Sequence, residues 1–211
     1  GDYLSTAPIN FGAADFTVDF WFRAAALSSN NHYLFGGHST SIYSGLVIIQ
    51  NGTNLILYSS STGSSWDVAS AVTISSSLLT DTWYHVAVSR EGTSLRYFFN
   101  GNLVGTVTTS ATLYDPSDNL LIGSNYNGEA FNGWIDELRV VTGVAEYTES
   151  FTPETSAYTL ATTKDFRLSS VGESDVNFGI CQGRLTLESG VPVSTTDQTA
   201  KTTLYFTPYN G

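Results

Sequence analysis

Apolar and polar residues alternate along much of this chain with a period of two. The clearest stretch is "FTVDFWFR", from Phe16 to Arg23. Its apolar positions are Phe16, Val18, Phe20 and Phe22, and the positions between them are Thr17, Asp19, Trp21 and Arg23. Because successive side chains of a strand point to opposite faces, this pattern predicts a β-strand with one fully apolar face.

Turn signals divide the rest of the pattern into short strands. "GLVIIQNGTNLILYS" predicts two strands around Asn51-Gly52, a strong two-residue turn signal. "WYHVAVSREGTSLRYFFNGNLVGTV" predicts three strands, over residues 83–90, 95–99 and 103–107, and "NLLIGS" and "FNGWIDELRVV" add two more. One short stretch, Gly143 to Tyr147, is the only candidate for a helical turn. Strands at roughly ten-residue spacing predict an all-β fold, an antiparallel jelly-roll β-sandwich.

The periodicity is lost after Pro153, in a stretch rich in threonine. We therefore expect a sandwich domain over residues 1–154, a linker over 155–165 and a small β-rich C-terminal extension over 166–211. The extension is too short for a robust core of its own, so it is expected to be incomplete or to pack on a neighbouring subunit. The chain contains no methionine, which predicts a piece of a longer or processed protein.

Composition narrows the functional classes. Charged residues make up 13% of the chain, against about 25% in typical soluble domains. The net charge is −11 with only eight Lys plus Arg, so no basic stripe exists for nucleic acid or an anionic membrane surface. An acidic, oxygen-rich surface is compatible with calcium. The single cysteine excludes an intrachain disulfide and a cysteine-based zinc site.

An acidic pair, Asp136 and Glu137, interrupts the apolar run "GWIDELRV". Adjacent residues of a strand point to opposite faces, so these two carboxylates are not expected to flank one glycosidic bond. Motifs such as G-x-S-x-G and HExxH are absent, and we expect no enzymatic activity. Asp136 is expected to share a partly buried face with Leu138. It would then bind a metal, pair with Arg139 or Arg23, or accept hydrogen bonds from loop amides.

Three polar loops have the composition of a sugar site, because sugars present apolar ring faces and paired hydroxyls. They are Ser28–Tyr33, Tyr58–Asp67 and Gly123–Gly133. The residues predicted to bind glycan are Trp66, Asp67, Asn125, Tyr126 and Asn127. In the alternative reading Trp66 caps a hairpin and Tyr126 packs against a neighbour. The other tryptophans, Trp21, Trp83 and Trp134, lie in predicted strands and are expected in the core.

These stretches together resemble a known family. "FTVDFWFR", "WYHVAVSREGTSLRYFFNGNLVGT" and "IGSNYNGEAFNGWIDELRVVTGVAEYTESFTPET" are similar to the concanavalin A-like lectin/glucanase superfamily, in its laminin-G-like and pentraxin-like branch. The motifs that carry the resemblance are W-Y-H-V-A-V with its hairpin and G-x-I-D-E-L-R-V. "GVAEYTESFTP" resembles the form found in bacteriophage structural proteins, and Gly183–Gly211 resembles a segment of phage tail-fibre-like proteins.

The resemblance implies properties beyond the pattern itself. It implies a concanavalin A-like sandwich and a calcium (Ca2+) site in which Asp2 joins Asp136. It also implies a virion structural protein, extracellular on the particle, that binds a host-surface glycan and contacts other virion proteins. Fibre proteins are usually homo-oligomers, so a trimer is expected. The alternatives are a purely structural capsid decoration or fibre spacer and, more weakly, a secreted bacterial adhesin or polysaccharide-binding domain.

Overall fold

The computed structural model describes residues 2–38 and 43–156, together with the backbone of two short strands at 188–189 and 202–205. Most of the predicted linker and extension, residues 155–165 and 166–211, lies outside the described residues. The strands are β1 Leu4–Thr6, β2 Phe16–Ala24, β3 His32–Phe35, β4 Gly37–His38, β5 Val47–Asn51, β6 Asn54–Ser59, β7 Ala69–Ser75, β8 Trp83–Glu91, β9 Ser94–Phe99, β10 Asn102–Thr108, β11 Leu120–Ile122, β12 Gly133–Thr142, β13 Glu188–Ser189 and β14 Thr202–Tyr205.

These strands form three antiparallel sheets. The large sheet has seven strands in the order β10-β9-β8-β2-β12-β14-β13, the second has the order β3-β5-β6-β7, and a small one has the order β1-β11-β4. The prediction of an all-β antiparallel fold is confirmed. The described part of the chain contains no helix, and so none that is long and apolar enough to cross a membrane.

The core lies between the seven-stranded and four-stranded sheets. The prediction for "FTVDFWFR" is confirmed, because Phe16, Val18, Phe20 and Phe22 are fully buried on one face of β2. The core side chains of the four-stranded sheet include Leu34, Phe35, Ile48, Leu55 and Leu57. The hairpin around Asn51-Gly52 also forms as predicted, since Asn51 pairs with Asn54 across the turn.

Thr17 and Asp19, on the polar face of β2, are buried too, which the alternation did not predict. Residues 143–154, here called the strap, cross this outer face of the seven-stranded sheet. Gly143 N donates to Asp15 O at 2.6 Å and Phe151 N donates to Gly101 O at 2.8 Å. Trp21 Nε1 donates to Glu154 O at 3.0 Å. The strap therefore adds a layer that covers one end of the polar face.

The predicted helical turn at residues 143–147 is wrong, because the strap bonds to the sheet and not to itself. Thr17 Oγ1 donates to Val144 O at 3.2 Å and accepts from Glu146 N at 2.8 Å. Gly101 makes close approach of the strap feasible, because a Cβ there would lie 2.0 Å from Phe151 O.

A buried ion pair lies beneath the strap. Asp19, fully buried, accepts from Arg139 Nε at 2.9 Å and from Arg139 Nη2 at 3.1 Å, one bond to each carboxylate oxygen. Tyr147 of the strap donates its hydroxyl to Asp19 Oδ2 at 3.1 Å, and His85 Nε2 lies 3.4 Å from the same oxygen. Arg139 therefore pairs with Asp19 on the neighbouring strand, a partner that the sequence did not indicate.

A β-bulge explains the acidic pair. On β12 Asp136 is opposite Trp21 and Arg139 is opposite Asp19, so the register shifts between them. Glu137 has a φ of +50°, as expected for an extra residue in a bulge. Leu138 therefore packs into the core and does not share a face with Asp136, which corrects the expectation from simple alternation. Asp136 lies on the outer face, where its Oδ1 accepts from Glu137 N at 2.9 Å.

Candidate functional site

The outer face of the four-stranded sheet carries a second apolar cluster. Each strand sends alternate side chains into the core and the rest outward. Across the strands Tyr33 pairs with Ile49, Ile49 with Ile56, and Val47 with Tyr58. Of these, Tyr33, Val47 and Ile49 are buried even though they face away from the core. This outer face is therefore covered by loops, and the loops carry the candidate site.

A polar groove of about 550 Å³ opens at one edge of this face. We call it the amide groove. Its lining residues are Ser29, Asn30, Asn31, His32, Asn51, Gly128, Glu129 and Ala130. Two of the three loops predicted from composition, Ser28–Tyr33 and Gly123–Gly133, thus meet in one groove, with the Asn51 turn as its third side.

Backbone and side-chain hydrogen bonds hold the two loops together. Tyr33 and Ala130 form an isolated parallel bridge, and Tyr33 N donates to Glu129 O at 3.1 Å. His32 Nδ1 lies 2.7 Å from Ala130 O. A carbonyl oxygen only accepts, so Nδ1 carries the proton, and in the neutral ring Nε2 accepts from the Ser28 hydroxyl that contacts it. His32 is therefore oriented on both sides of its ring.

Asn125 shapes the second loop. Its Oδ1 accepts from Asn127 N at 3.1 Å and from Glu129 N at 3.0 Å, and its Nδ2 donates to Glu129 Oε2 at 2.6 Å. Asn125 is buried, so it supports the loop and does not itself face a ligand. Tyr126, at the tip of this turn, is 45% exposed, and Asn127 is exposed as well. Of the three predicted residues here, Tyr126 and Asn127 are the ones that a ligand can reach.

The ring of Tyr33 lies under this loop. Burial raises the pKa of Tyr33 to about 12, and the negative charge of Glu129 also raises it, whereas a hydrogen bond with the Asn125 side chain lowers it. The Tyr33 hydroxyl therefore stays protonated at any physiological pH. The loop thus rests on a neutral aromatic side chain.

Trp66 lies on the same outer face, at its other end. Its ring centroid lies 4.9 Å from that of Tyr43 and 5.0 Å from that of Tyr58. Trp66 is half-buried against the cluster that contains Tyr33, which links it to the turn of Tyr126. An exposed edge of an aromatic cluster of this kind suits the apolar face of a sugar ring.

Asp67 closes the loop that carries Trp66. Its Oδ1 accepts from Ser61 N at 2.9 Å and from Ser60 Oγ at 3.4 Å, and its Oδ2 accepts from the Ser61 hydroxyl. The hydrogen bond from the Ser61 side chain is the main cause that lowers the pKa of the Asp67 carboxyl. Asp67 therefore orders the loop, and its contacts are internal.

The calcium site expected at Asp2 and Asp136 stays a prediction. Asp2 is exposed, and no hydrogen bond or ion pair connects it to Asp136. Among the residues that the structure describes, no group of three or more His, Cys, Asp or Glu could hold a metal. Calcium takes about six to eight oxygen ligands, so Asp2 and Asp136 would need several further oxygen ligands to complete a site.

Sequence reasoning named none of the eight lining residues of the groove as site residues, and the polar ones among them include Asn31, His32, Asn51 and Glu129. The first two and Glu129 lie in loops that composition had indicated, but nothing local shows that these loops meet. Asn51 was assigned only to its hairpin turn, yet its Nδ2 also donates to Asn31 Oδ1 at 2.8 Å. A pair of Asn-rich loops around one turn was the available signal.

The amide groove can hydrogen-bond a polyhydroxylated ligand. Asparagine amides offer a donor and an acceptor, and Glu129 offers an acceptor, which together match adjacent sugar hydroxyls that donate and accept. Tyr126 adds an exposed ring on the same turn as Gly128 and Glu129 of the groove lining. Ligand sites combine apolar or aromatic surface with a few convergent polar groups.

Comparisons with known proteins agree with this architecture. In structure, the chain is similar to the CBM40 domain of the Ruminococcus gnavus IT-sialidase, with a TM-score of 0.52 at 12% identity, over 69% of this chain and 94% of that one. It is also similar to the binding domain of botulinum neurotoxin serotype D, with a TM-score of 0.50 at 15% identity, over 72% of this chain. The match spans only 38% of the neurotoxin domain.

A heptameric SAP-like pentraxin from Limulus polyphemus matches with a TM-score of 0.48 at 18% identity, over 71% of each chain. No curated protein sequence matches significantly. A family model described as "Concanavalin A-like lectin/glucanases superfamily" matches residues 1–149. This range includes every strand of the sandwich from β1 to β12 and both loops of the amide groove. The chain therefore belongs to the concanavalin A-like lectin/glucanase superfamily.

Proposed function

We propose that this protein is a glycan-binding module and that the amide groove is its binding site. The observation that carries the proposal is the meeting of two amide-rich loops beside the exposed ring of Tyr126. Sugar hydroxyls would bond to the side chains of Asn31, Asn51 and Glu129, while an apolar ring face lies on Tyr126. Trp66 extends the aromatic surface toward a second sugar unit.

Binding without hydrolysis is part of this proposal. A glycosidase of the common types uses two carboxyl groups on either side of the bond, about 5–10 Å apart. Among the residues that line the groove, Glu129 alone carries a carboxylate, and Asn125 Nδ2 bonds to it at 2.6 Å. The groove thus has an acceptor for hydroxyls, and its lining offers Glu129 no second carboxylate as a partner.

We also propose a setting for this module, a bacteriophage virion in which it binds a glycan on the host surface. Support comes from the sequence resemblance of "GVAEYTESFTP" and of Gly183–Gly211 to phage structural and tail-fibre-like proteins. A fibre protein is expected to be a trimer. Light scattering on the full chain and on a variant that lacks residues 166–211 tests this setting. A trimer that becomes a folded monomer supports it, and a monomeric full chain contradicts it.

The glycan proposal is tested on a glycan array that includes host-surface polysaccharides, with calcium and again with a chelator. Two variants probe the groove, Tyr126→Ala and Glu129→Gln, and Trp66→Ala probes the neighbouring cluster. Leu103→Ala is the matched control, because Leu103 is 39% exposed but lies on the other sheet. Thermal unfolding of each variant shows that it is folded.

We expect binding that falls at least about tenfold in Tyr126→Ala and Glu129→Gln, as for the loss of one well-placed contact of about 1.4 kcal/mol, and that is unchanged in Leu103→Ala. Loss of binding in the chelator would support the prediction of calcium at Asp2 and Asp136. Binding to no glycan by the folded protein would overturn the proposal and favour a purely structural module.

A further inference from the structure

An uncovered row of three side chains lies on the outer face of the seven-stranded sheet, beyond the end of the strap. Arg23 on β2 is opposite Trp83 on β8 and opposite Trp134 on β12, so the three side chains lie side by side on adjacent strands. We call this the Trp-Arg-Trp row. Trp83 is 40% exposed and Trp134 is 47% exposed, which corrects the expectation that both belong to the core. Trp83 is the first residue of β8 and Trp134 the second residue of β12, and both face away from the sandwich.

Arg23 is held between the two indoles. Its guanidinium carbon lies 4.0 Å from the ring centroid of Trp134 and 5.7 Å from that of Trp83, within cation–π distance of both. The Nε is shut off from solvent and has no hydrogen-bond partner. Neither terminal nitrogen has a partner among the described residues, and neither is buried, so both reach solvent.

The other three arginines of the described residues are already engaged. Arg90 donates to the carbonyl oxygens of Gly12, Gly92 and Ala111, at 3.0–3.1 Å. Arg96 pairs with Glu91 at 3.2 Å and Arg139 pairs with Asp19 at 2.9 Å. Arg23 is therefore the one cation in the described part of the chain whose donors have no oxygen acceptor, in a protein with 19 Asp plus Glu.

The nearest acidic candidate on the same face does not take this role. Asp136 lies two residues beyond Trp134 on β12, but its Oδ1 accepts from Glu137 N, and no ion pair connects it to Arg23. Trp21, which is opposite Asp136, instead bonds to the strap at Glu154 O. A shielded guanidinium that keeps unpaired donors is unusual, because polar groups in such places normally have partners.

We propose that the Trp-Arg-Trp row is a second binding site and that its ligand is an acidic saccharide, a pyranose that carries a carboxylate. The planar guanidinium presents two parallel N–H donors, which match the two oxygens of a carboxylate. An indole beside it offers a flat apolar surface to the sugar ring. Neighbouring strands lie about 4.8 Å apart, so the row spans roughly 10 Å, enough for a charged sugar and its neighbour.

This site is separate from the amide groove, because it lies on the other sheet and shares no residue with it. The two proposals can therefore fail independently. The neutral indoles select for a sugar ring and the guanidinium selects for its charge, so a neutral sugar of the same size is expected to bind poorly. Added salt is expected to weaken binding, since it screens an exposed ion pair.

The test uses the full chain labelled with ¹⁵N, and it follows the indole N–H signals of the four tryptophans. The probes are 3′-sialyllactose and an oligogalacturonate, with lactose and a neutral galacto-oligosaccharide of the same length as controls. Single Trp→Phe variants assign the signals. Dissociation constants come from the same titrations for the wild type, Arg23→Gln, Arg23→Lys and Arg96→Gln, which removes the same charge from a paired arginine of the same sheet.

We expect at least one acidic probe to shift the signals of Trp83 and Trp134 and not that of Trp66. We expect Arg23→Gln to weaken binding at least about tenfold, Arg23→Lys to weaken it less, and Arg96→Gln to leave it unchanged. Equal binding of neutral probes, unchanged affinity in Arg23→Gln, or shifts confined to Trp66 would overturn the proposal. So would the absence of shifts with both acidic probes. If Arg23→Gln is unfolded, the proposal is judged from which indole N–H signals of the wild type shift with the acidic probes.

Discussion

Replacing Asp19 by alanine tests the role of the buried ion pair beneath the strap. Asp19 is fully buried and accepts two hydrogen bonds from Arg139 and one from Tyr147. Asp19→Ala leaves the nearly buried Arg139 guanidinium without its carboxylate. Removal of one partner of a buried pair costs about 3–5 kcal/mol of unfolding free energy, mainly because the remaining charge stays desolvated.

The magnitude can be read from urea unfolding at pH 7, followed by tryptophan fluorescence. With an m-value of about 2–3 kcal/mol/M, a loss of that size lowers the midpoint by about 1–2.5 M. The companion variant is Asp19→Ala with Arg139→Met, which removes both charges and keeps a long side chain. We expect the double variant to be more stable than Asp19→Ala alone, because no buried charge is left unpaired.

Two results would refute this reasoning. A midpoint for Asp19→Ala within about 0.3 M of the wild type would mean that Arg139 finds water or another acceptor at little cost. A double variant less stable than Asp19→Ala would mean that Arg139 contributes through packing of its stem and not through its charge.

Three further changes follow from local geometry. Gly101→Ala should lower the melting temperature more than Gly92→Ala, since both have positive φ but only a Cβ at Gly101 meets the strap, and equal losses by calorimetry would contradict this. Tyr33, with a pKa near 12, should stabilise the fold fully below pH 10, and this contribution should disappear as the pH rises from 10 to 12. Phenolate absorbance checks it, and ionisation of every tyrosine near pH 10 before unfolding would contradict it. Asp67, whose pKa is lowered, should keep its loop closed above pH 3.8 and lose this contribution as the pH falls below that value. Trp66 emission should report the change, and emission that shifts instead near neutral pH would show another cause.

The sequence predicts the sandwich well because alternation and turn chemistry are local. Strands β2, β5, β6, β8, β9 and β10 follow directly from apolar periodicity and Asn-Gly or Gly turns. The helical turn at 143–147 fails because the strap takes its hydrogen bonds from the sheet, a contact between distant residues. The bulge at Glu137 was not predicted, because a sequence with a period of two does not show where one extra residue is inserted.

The sequence indicated the loops of the candidate site but not the orientation of their side chains. Loop composition identified Tyr126, Asn127 and the two loops of the groove. It could not show that the side chains of Asn125 and Asp67 form hydrogen bonds within their own loops, because those bonds depend on turn geometry. Trp83 and Trp134 were expected in the core from residue type alone, yet the strand face decides exposure, and theirs is the side away from the sandwich.

The strap also determines how the domain responds to tension. A pull applied at residue 156, just beyond the strap, reaches the contacts of the strap one after another. The bond from Trp21 to Glu154 would break first, then that from Phe151 to Gly101 and the contact between Tyr147 and Asp19, and the bonds of residues 143–146 to Asp15 and Thr17 last. Contacts loaded in sequence yield at lower force than strands sheared together. The strap can therefore act as a short, extensible tether that releases locally while the sandwich stays folded.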